Sequence, residues 1–406
     1  MAKWRFVILL FLATALFSCS TGKQSTNPDH KSGSSTVNAQ GTFILGGEEV
    51  VLPFWSNLFI NTCKGSEQEN ICISPLSAQM VLSMAAAGAT GETQQQMYST
   101  MNLTGDVNSA AKKIVECLSD STEGCEASIA NSIWVNEKFD VKKSFIDTNK
   151  TYFNALVTTA PFNKETLQAI NEWCSENTKG KIKSALEDIK KEDQMYLINA
   201  LYFKSEWKDK FINSLTEEKP FKKEDGNEID VPMMYQQINT QYYEDEAVQV
   251  AVKPFKGGYN MLLVLPAEGV TTEEGVAYIS HNYNKIMGSM STYKLALHMP
   301  KFQSDFSASL KGTLESMGIK RAFSTKAQFD GISEEPIRVN DIFQNTHIKV
   351  EEAGAEAAAV TIMRVGSYSA FMQFERRTMN LNKPFIYLIT NNDNIIFIGK
   401  VGNPNE

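Results

Sequence analysis

Apolar residues recur along this chain at two spacings, which predict helices and strands in irregular alternation. Helical spacing covers residues 51–61, 74–88 and 166–178. Continuous or alternating apolar runs predict strands at residues 132–135, 195–203, 251–252, 260–265, 295–299, 348–350, 385–390 and 395–401. Because these elements follow no regular βαβ order, we expect an α+β fold with more than one sheet.

The alanine-rich stretch at residues 350–365 is compatible with two structures. Its composition favours a helix. Counted in twos over residues 355–365, however, the two charges (Glu356 and Arg364) share one parity, as a strand with one buried face requires. The other parity holds Ala355, Ala357, Ala359, Thr361, Met363 and Val365. No Pro or Gly interrupts residues 355–365, so an exposed helix and a strand both remain open.

The first 42 residues predict export and a flexible tether. Lys3 and Arg5 precede an apolar run to Phe17, the pattern of a signal peptide over residues 1–18. A Leu-Phe-Ser-Cys ending resembles a bacterial lipobox, so we expect a lipidated Cys19 and a polar tether over residues 19–42. Ordinary secretion with cleavage elsewhere is the alternative. The expected location is a bacterial cell envelope, at the outer membrane or facing the periplasm, with the cell surface or the exterior as alternatives.

The remaining residues, 43–406, lack an internal repeat or a second linker and predict one large domain. The formal net charge of the chain is −8. An acidic balance argues against nucleic acid as a partner. We expect a monomer.

Five cysteines besides Cys19 lie in the predicted exported domain. Cys63 and Cys72 flank one polar turn, and Cys117 and Cys125 flank another. In an oxidising compartment both spacings suit local disulfides, which leaves Cys174 as a buried thiol.

The residues do not assemble a catalytic motif. The sequence contains neither a nucleophile elbow nor a zinc-protease motif nor a phosphate loop, and it has four histidines. Ser74 and Ser77 suit a helix cap and a buried hydrogen-bond donor better than a nucleophile, because no His is placed to activate them. We therefore expect neither an enzyme nor a metal or cofactor site.

Motifs spread over the whole globular part resemble those of the serpin family. The first group is Asn70, Ser74, Pro75, Ser77, Leu82, Met84 and residues 88–93. The central group is Asn131, Asn171, Trp173 and residues 178–182 and 199–207. The last group is residues 231–234, 300–302, 382–385 and 397–404. Because these motifs are numerous and in order, the chain from about residue 43 onward is identified as a serpin.

This resemblance implies a fold of three sheets and about nine helices with an exposed reactive-centre loop, here at about residues 352–380. A target protease cleaves the loop, which then enters the large sheet as a strand and traps the acyl-enzyme. The implied function is suicide inhibition of serine proteases, with cysteine proteases as possible further targets. A non-inhibitory binding protein or chaperone is the alternative. The hinge that would insert comprises Glu352, Gly354, Ala355, Glu356, Ala357, Ala358 and Ala359.

Two groups of residues are implied to control opening of the large sheet. Glu352 matches an acidic hinge residue and Lys301 its partner, so we predict an ion pair near Trp207, partly exposed and contributing about 1 kcal/mol or less. The second group is a hydrogen-bonded cluster at the middle of the sheet, formed by Ser74, Ser77, Asn199 and Gln344. The family usually has His where Gln344 stands, and an amide can donate and accept as a neutral imidazole does.

Counting seventeen residues from Glu352, as the family's spacing implies, places the cleaved bond between Tyr368 and Ser369. A Tyr at this position suits proteases of chymotrypsin, cathepsin G or subtilisin type. The span from Glu352 to Pro384 is about five residues longer than in familiar serpins. Arg364, which suits a trypsin-like enzyme, and Phe371 therefore remain alternative sites.

Overall fold

Two large sheets and a small one carry this fold, together with eight α-helices in the part of the chain that the structure describes. The structure is a computed structural model, and it describes residues 42–45, 47–118, 123–355, 374–391 and 394–406. These described residues belong to one compact unit. Mixed helices and sheets confirm the predicted α+β class.

The strands are β1 (Thr42–Leu45), β2 (Glu48–Val51), β3 (Ile71–Ile73), β4 (Cys125–Asn136), β5 (Leu156–Ala160), β6 (Met195–Glu206), β7 (Glu217–Lys222), β8 (Glu228–Glu244), β9 (Val248–Pro254), β10 (Tyr259–Pro266), β11 (Ser291–Pro300), β12 (Phe302–Ser309), β13 (Asp341–Glu351), β14 (Gly354–Ala355), β15 (Arg376–Asn380), β16 (Phe385–Asn391) and β17 (Asn394–Val401). The helices are α1 (Phe54–Lys64), α2 (Pro75–Ala86), α3 (Gly91–Thr100), α4 (Val107–Leu118), α5 (Lys143–Phe153), α6 (Lys164–Asn177), α7 (Thr272–Ser289) and α8 (Lys311–Ser316).

The six-stranded sheet has the order β12-β13-β14-β6-β4-β5. Its central strands β13 and β6 are parallel and pair directly over residues 341–345 and 196–200. Farther along, the two-residue strand β14 lies between them and is antiparallel to both. This seam between β13 and β6 is therefore closed at one end and wedged apart at the other.

The nine-stranded sheet has the order β15-β11-β8-β9-β10-β16-β17-β3, with β7 paired to β8. Its last strand, β3, comes from the beginning of the domain and pairs with the final strand β17. Asn70 reinforces this junction, because its side chain accepts hydrogen bonds from the backbone amides of Gly402 and Asn403 at 3.0 Å and donates to the Asn403 carbonyl at 2.7 Å. The two ends of the domain thus meet in one sheet.

Helices α2 and α6 contact the six-stranded sheet. Helix α2 begins as predicted, since the Ser74 hydroxyl accepts from the amide of Ser77 at 3.1 Å and Pro75 occupies the first turn. Helix α6 packs Ile170 and Cys174 into a separate apolar cluster with strand residues Trp134, Tyr196 and Ile198. Helix α6 therefore covers the closed part of the seam.

The predicted disulfides are wrong: all five cysteines in the described residues are free thiols. Cys63, at the end of α1, lies near Glu273 and Lys400, whereas Cys72 on β3 contacts Tyr387 and Thr346. Cys117 is exposed at the end of α4, whereas Cys125 is buried in β4. The thiols of both pairs thus lie in different environments, and burial raises the pKa of Cys72 to about 11. Cys174 is buried, as predicted, and burial raises its pKa to about 12.

One predicted helix began too early. Val51 belongs to β2, and α1 begins at Phe54 after Pro53. The apolar spacing continues across this boundary, but the hairpin of β1 and β2 uses Val50 and Val51 as strand residues. No described helix is both long enough and apolar enough to cross a membrane.

Candidate hinge and sheet-opening site

The hinge enters the six-stranded sheet by two residues. Ala355 lies between Val350 of β13 and Ser205 of β6, and Gly354 lies between Glu351 and Glu206. Ala355 and Val350 are fully buried. Between this wedge and the closed part of the seam, the described residues show no pairing of 346–349 with 201–204. Strands β13 and β6 are therefore not paired with each other over these four positions.

Glycine is required at position 354 for two reasons. Its φ of +150° is a conformation that residues with a side chain rarely adopt. A Cβ there would also lie 2.1 Å from the Ser205 carbonyl oxygen. The backbone of the hinge therefore approaches β6 more closely than any side chain allows.

The predicted ion pair at the hinge base is present, with Lys301 Nζ 2.8 Å from Glu352 Oε2. Thr216 also donates to Glu352 Oε1 at 2.8 Å. Burial raises the pKa of Glu352, but the bonds from Lys301 and Thr216 outweigh it and hold that pKa below its usual value. Glu352 is only 5% exposed. The pair is therefore not the surface-like contact that the sequence suggested, because its acidic partner is buried.

Trp207 holds the hinge backbone in place. Its indole Nε1 donates to the Glu351 carbonyl at 2.9 Å, and its backbone amide donates to the Ala353 carbonyl at 3.0 Å. The ring is fully buried and stacks on Phe255, with centroids 4.1 Å apart. The amide of Phe211 adds a bond to the Glu352 carbonyl at 2.9 Å. The hinge base is thus held by hydrogen bonds from the segment 207–211.

The second predicted group forms a polar layer across the closed part of the seam. The Gln344 amide accepts from the backbone amide of Ser74 at 3.0 Å and donates to the Ser74 carbonyl at 2.7 Å. The Ser77 hydroxyl donates to Asn199 Oδ1, and Asn199 Nδ2 donates to Asn131 Oδ1 at 2.7 Å. All five residues are buried. The layer links α2 to β13, β6 and β4 through satisfied polar groups.

The structure brings the predicted control residues together in two separate groups on the same seam. Gln344 and Glu351 are seven residues apart on β13, or roughly 23 Å at strand spacing. The remaining candidates lie outside the described residues: Cys19, Glu356, Ala357, Ala358, Ala359, Arg364, Tyr368, Ser369 and Phe371.

Three contributors were missed or incompletely recognised in the sequence. Thr216 and Phe211 bind the hinge base, and no motif marks them. Asn131 was recognised as a motif residue without a role. A polar residue in a strand next to the apolar run at 133–135 was the available signal for it. The described residues contain no group of three His, Cys, Asp or Glu side chains arranged to hold a metal ion.

Comparison with known proteins agrees with this geometry. The family model for serpins, described as serine protease inhibitors, matches residues 52–404. A protein named serine protease inhibitor from Cyanea capillata is 30% identical over 380 residues, covering 88% of this chain and 97% of that protein.

Solved structures agree as well. The native thermophilic serpin tengpin aligns with a TM-score of 0.80 and 31% identity, covering 86% of this chain and 92% of that chain. Human thyroxine-binding globulin bound to its hormone aligns with a TM-score of 0.80 and 26% identity, covering 87% and 97%. Together with the hinge geometry, these matches show that the chain belongs to the serpin family and has its fold.

Proposed function

We propose that this serpin inhibits serine proteases by inserting its cleaved loop as a new strand between β13 and β6. The observation that carries the proposal is the position of Gly354 and Ala355, which already lie between the two strands in a defined register. The name of the Cyanea capillata relative supports the inhibitory role.

The register of β14 specifies where the following residues would lie after insertion. Because β14 is antiparallel to both neighbours, each step forward along the hinge moves one residue back along β13 and β6. Glu356 would then lie between Lys349 and Lys204. Opposite charges on neighbouring strands stabilise a pairing. Glu356, the first residue after β14, would therefore lie between two positively charged side chains.

Farther along the loop, the same register places polar loop residues next to polar residues of the two strands. Thr361 would lie between Gln344 and Asn199, in the polar layer that spans the closed part of the seam. Arg364 would lie beside Asp341. A one-residue slip would lose both matches, so the pattern favours a single register.

The inward parity of the loop meets the core. Ala357 would lie between Ile348 and Phe203, which are 2% exposed. Ala358 would face the other way, beside His347 and Tyr202. A charge at 357 would have to be buried without a partner, whereas a charge at 358 would lie on the face where Lys179 sits over the Tyr202 ring.

We propose Tyr368–Ser369 as the cleaved bond, and proteases of chymotrypsin, cathepsin G or subtilisin type as targets. Arg364 and Phe371 are the alternative positions before the cut, the first of which would suit trypsin-like enzymes. Cysteine proteases are further possible targets. Sequencing the amino terminus of the released carboxy-terminal fragment would identify the bond.

The test is incubation of the protein with chymotrypsin, subtilisin and trypsin, followed by denaturing electrophoresis. An inhibitor of this mechanism gives a covalent complex that survives denaturation. The Ala357→Glu variant should be cleaved without forming the complex, while its matched control Ala358→Glu should retain most complex formation. Loop cleavage without a complex in the unmodified protein would contradict the proposal and favour a non-inhibitory binding or chaperone role.

We further propose that Cys19 is lipidated and holds the protein at a bacterial cell envelope. The support is the sequence pattern of residues 1–19 alone. The full chain should partition into a detergent phase, and the Cys19→Ala variant should remain in the aqueous phase. Equal partitioning of the two proteins would contradict the proposal.

A further inference from the structure

A buried lysine contacts the segment that binds the hinge base. Lys253 is on β9 and is 1% exposed, which is rare for a lysine because burial penalises its charge. In the part of the chain that the structure describes, no carboxylate lies within ion-pair distance of its Nζ. Its role is not explained by the ion pair or the polar layer of the seam.

The ammonium of Lys253 is held by carbonyl groups and aromatic rings. Its Nζ donates to the Asp209 backbone carbonyl at 2.5 Å and to Gln236 Oε1. It also lies 4.5 Å from the Phe211 ring centroid and 5.3 Å from that of Trp207. Cations are attracted to the faces of aromatic rings, most strongly where water is excluded.

These contacts converge on the segment that carries the hinge. Trp207 and Phe211 donate the hydrogen bonds to the carbonyls of Glu351, Glu352 and Ala353. Lys253 and the hinge base thus contact the same segment, 207–211. The hinge base is connected to the buried lysine through Trp207 and Phe211.

Burial lowers the pKa of Lys253 to about 7, and the nearby Asp209 carboxylate partly opposes this shift. The other charged residues on this segment are Lys208 and Lys210, and Phe211 connects it to Glu352, which pairs with Lys301. Lys210 is neutralised by Glu206 at 3.0 Å, and β8 contributes the neutral Gln236.

Resting on the proposed function, we propose that Lys253 is a positioning residue whose protonation fixes segment 207–211 and so restrains release of the hinge into the sheet. Protonated Lys253 attracts both rings and the Asp209 carbonyl. The neutral amine keeps a hydrogen bond but loses the attraction to the rings. Hinge release should therefore be slower below pH 7 and faster above it.

The first test is spectroscopic and needs no protease. Trp207 emission should change with pH with a midpoint near 7, because the charge lies 5.3 Å from its ring. The Trp207→Phe variant identifies the part of the signal that belongs to this residue. The transition should disappear in Lys253→Met, and in Lys253→Gln if the Met variant does not fold. A transition that persists with the same midpoint in a folded variant would overturn the proposal.

The second test measures sheet opening directly. A synthetic peptide of residues 356–365 is added, and its uptake is followed by native electrophoresis at pH 6 and pH 8. Uptake by the unmodified protein should be about tenfold faster at pH 8, because the fraction of neutral Lys253 rises about tenfold between these two pH values and the neutral amine is not attracted to the rings. Uptake by Lys253→Met should not depend on pH. Equal pH dependence in both proteins would contradict the inference.

Failure of the two proposals can be distinguished. Absence of covalent complexes with every protease, together with pH-dependent peptide uptake, would reject inhibition and retain the role of Lys253. Covalent complexes together with pH-independent peptide uptake would retain inhibition and reject the role of Lys253. Peptide uptake by Lys253→Arg, which keeps the charge at pH 8, should resemble that of the unmodified protein at pH 6.

Discussion

The two ends of the seam between β13 and β6 are built differently. The closed end has a direct ladder of parallel pairs, a buried polar layer and the cover of α6. The wedged end has two paired hinge residues, the Glu352–Lys301 ion pair, and hydrogen bonds from Trp207, Phe211 and Thr216. One sheet thus combines a region held by a continuous strand ladder with a region held by two paired residues, one ion pair and isolated hydrogen bonds. Opening should therefore begin at the hinge and be resisted at the polar layer.

The largest expected effect is at the wedged end, in the Gly354→Val variant. Backbone conformation and the clash with Ser205 should together cost about 3 kcal/mol or expel β14 from the sheet. Gly180→Ala is the matched control, because φ there is +79° but a Cβ meets nothing within 4 Å. Hydrogen exchange should increase at the Trp207 amide, which donates to the Ala353 carbonyl, and stay unchanged at residues 196–200. Loss of hydrogen-exchange protection at both ends of the seam would contradict the proposed difference between them.

The next effect separates the two partners of the ion pair. Lys301→Met leaves the Glu352 carboxylate buried with Thr216 alone, and should lower the free energy of unfolding by about 2 kcal/mol. Glu352→Gln keeps the Thr216 bond and leaves the partly exposed Lys301 without its carboxylate partner. This change should cost about 1 kcal/mol or less. Urea unfolding of both variants measures the difference. Equal losses would mean that burial of Glu352 is unimportant.

The same pair has a defined pH dependence. Because the folded-state pKa of Glu352 is lowered, its stabilisation is fully present above the unfolded value and lost as pH falls through the folded one. The advantage of the unmodified protein over Glu352→Gln should therefore shrink below about pH 4.3. An advantage that is constant to pH 3 would contradict this assignment.

The smallest effect is at the closed end, in Gln344→His. A neutral imidazole can accept from the Ser74 amide and donate to its carbonyl, so the change should cost less than about 1 kcal/mol at pH 8. Below about pH 6.5 the ring must stay neutral to accept, which lowers its pKa and costs stability as pH falls. Thermal unfolding at pH 8 and 5.5 measures this. A pH dependence equal to that of the unmodified protein would contradict this prediction.

Motif residues made much of this site predictable, and tertiary contacts supplied the rest. Ser74 carries its own local signal as a helix cap, and the strand β6 is marked by an apolar run. Thr216 carries no such signal, because its partner Glu352 is 136 residues away. The role of Lys253 was even harder to predict from the sequence, because a lysine in a strand is normally expected on the solvent face. The disulfide prediction failed for the same reason, as spacing along the chain does not give the direction of a side chain.

The pairing of β3 with β17 has a consequence for how the protein is made. Ile73 pairs with Ile398, so the nine-stranded sheet is complete only when the last residues have been synthesised. At 5–20 residues per second, the apolar strand Ile71–Ile73 waits roughly 20 to 60 s for its partner. During this time the large sheets cannot both be finished. Folding to the native state is therefore a post-synthetic event, and truncation before residue 398 should leave a chain that never reaches it.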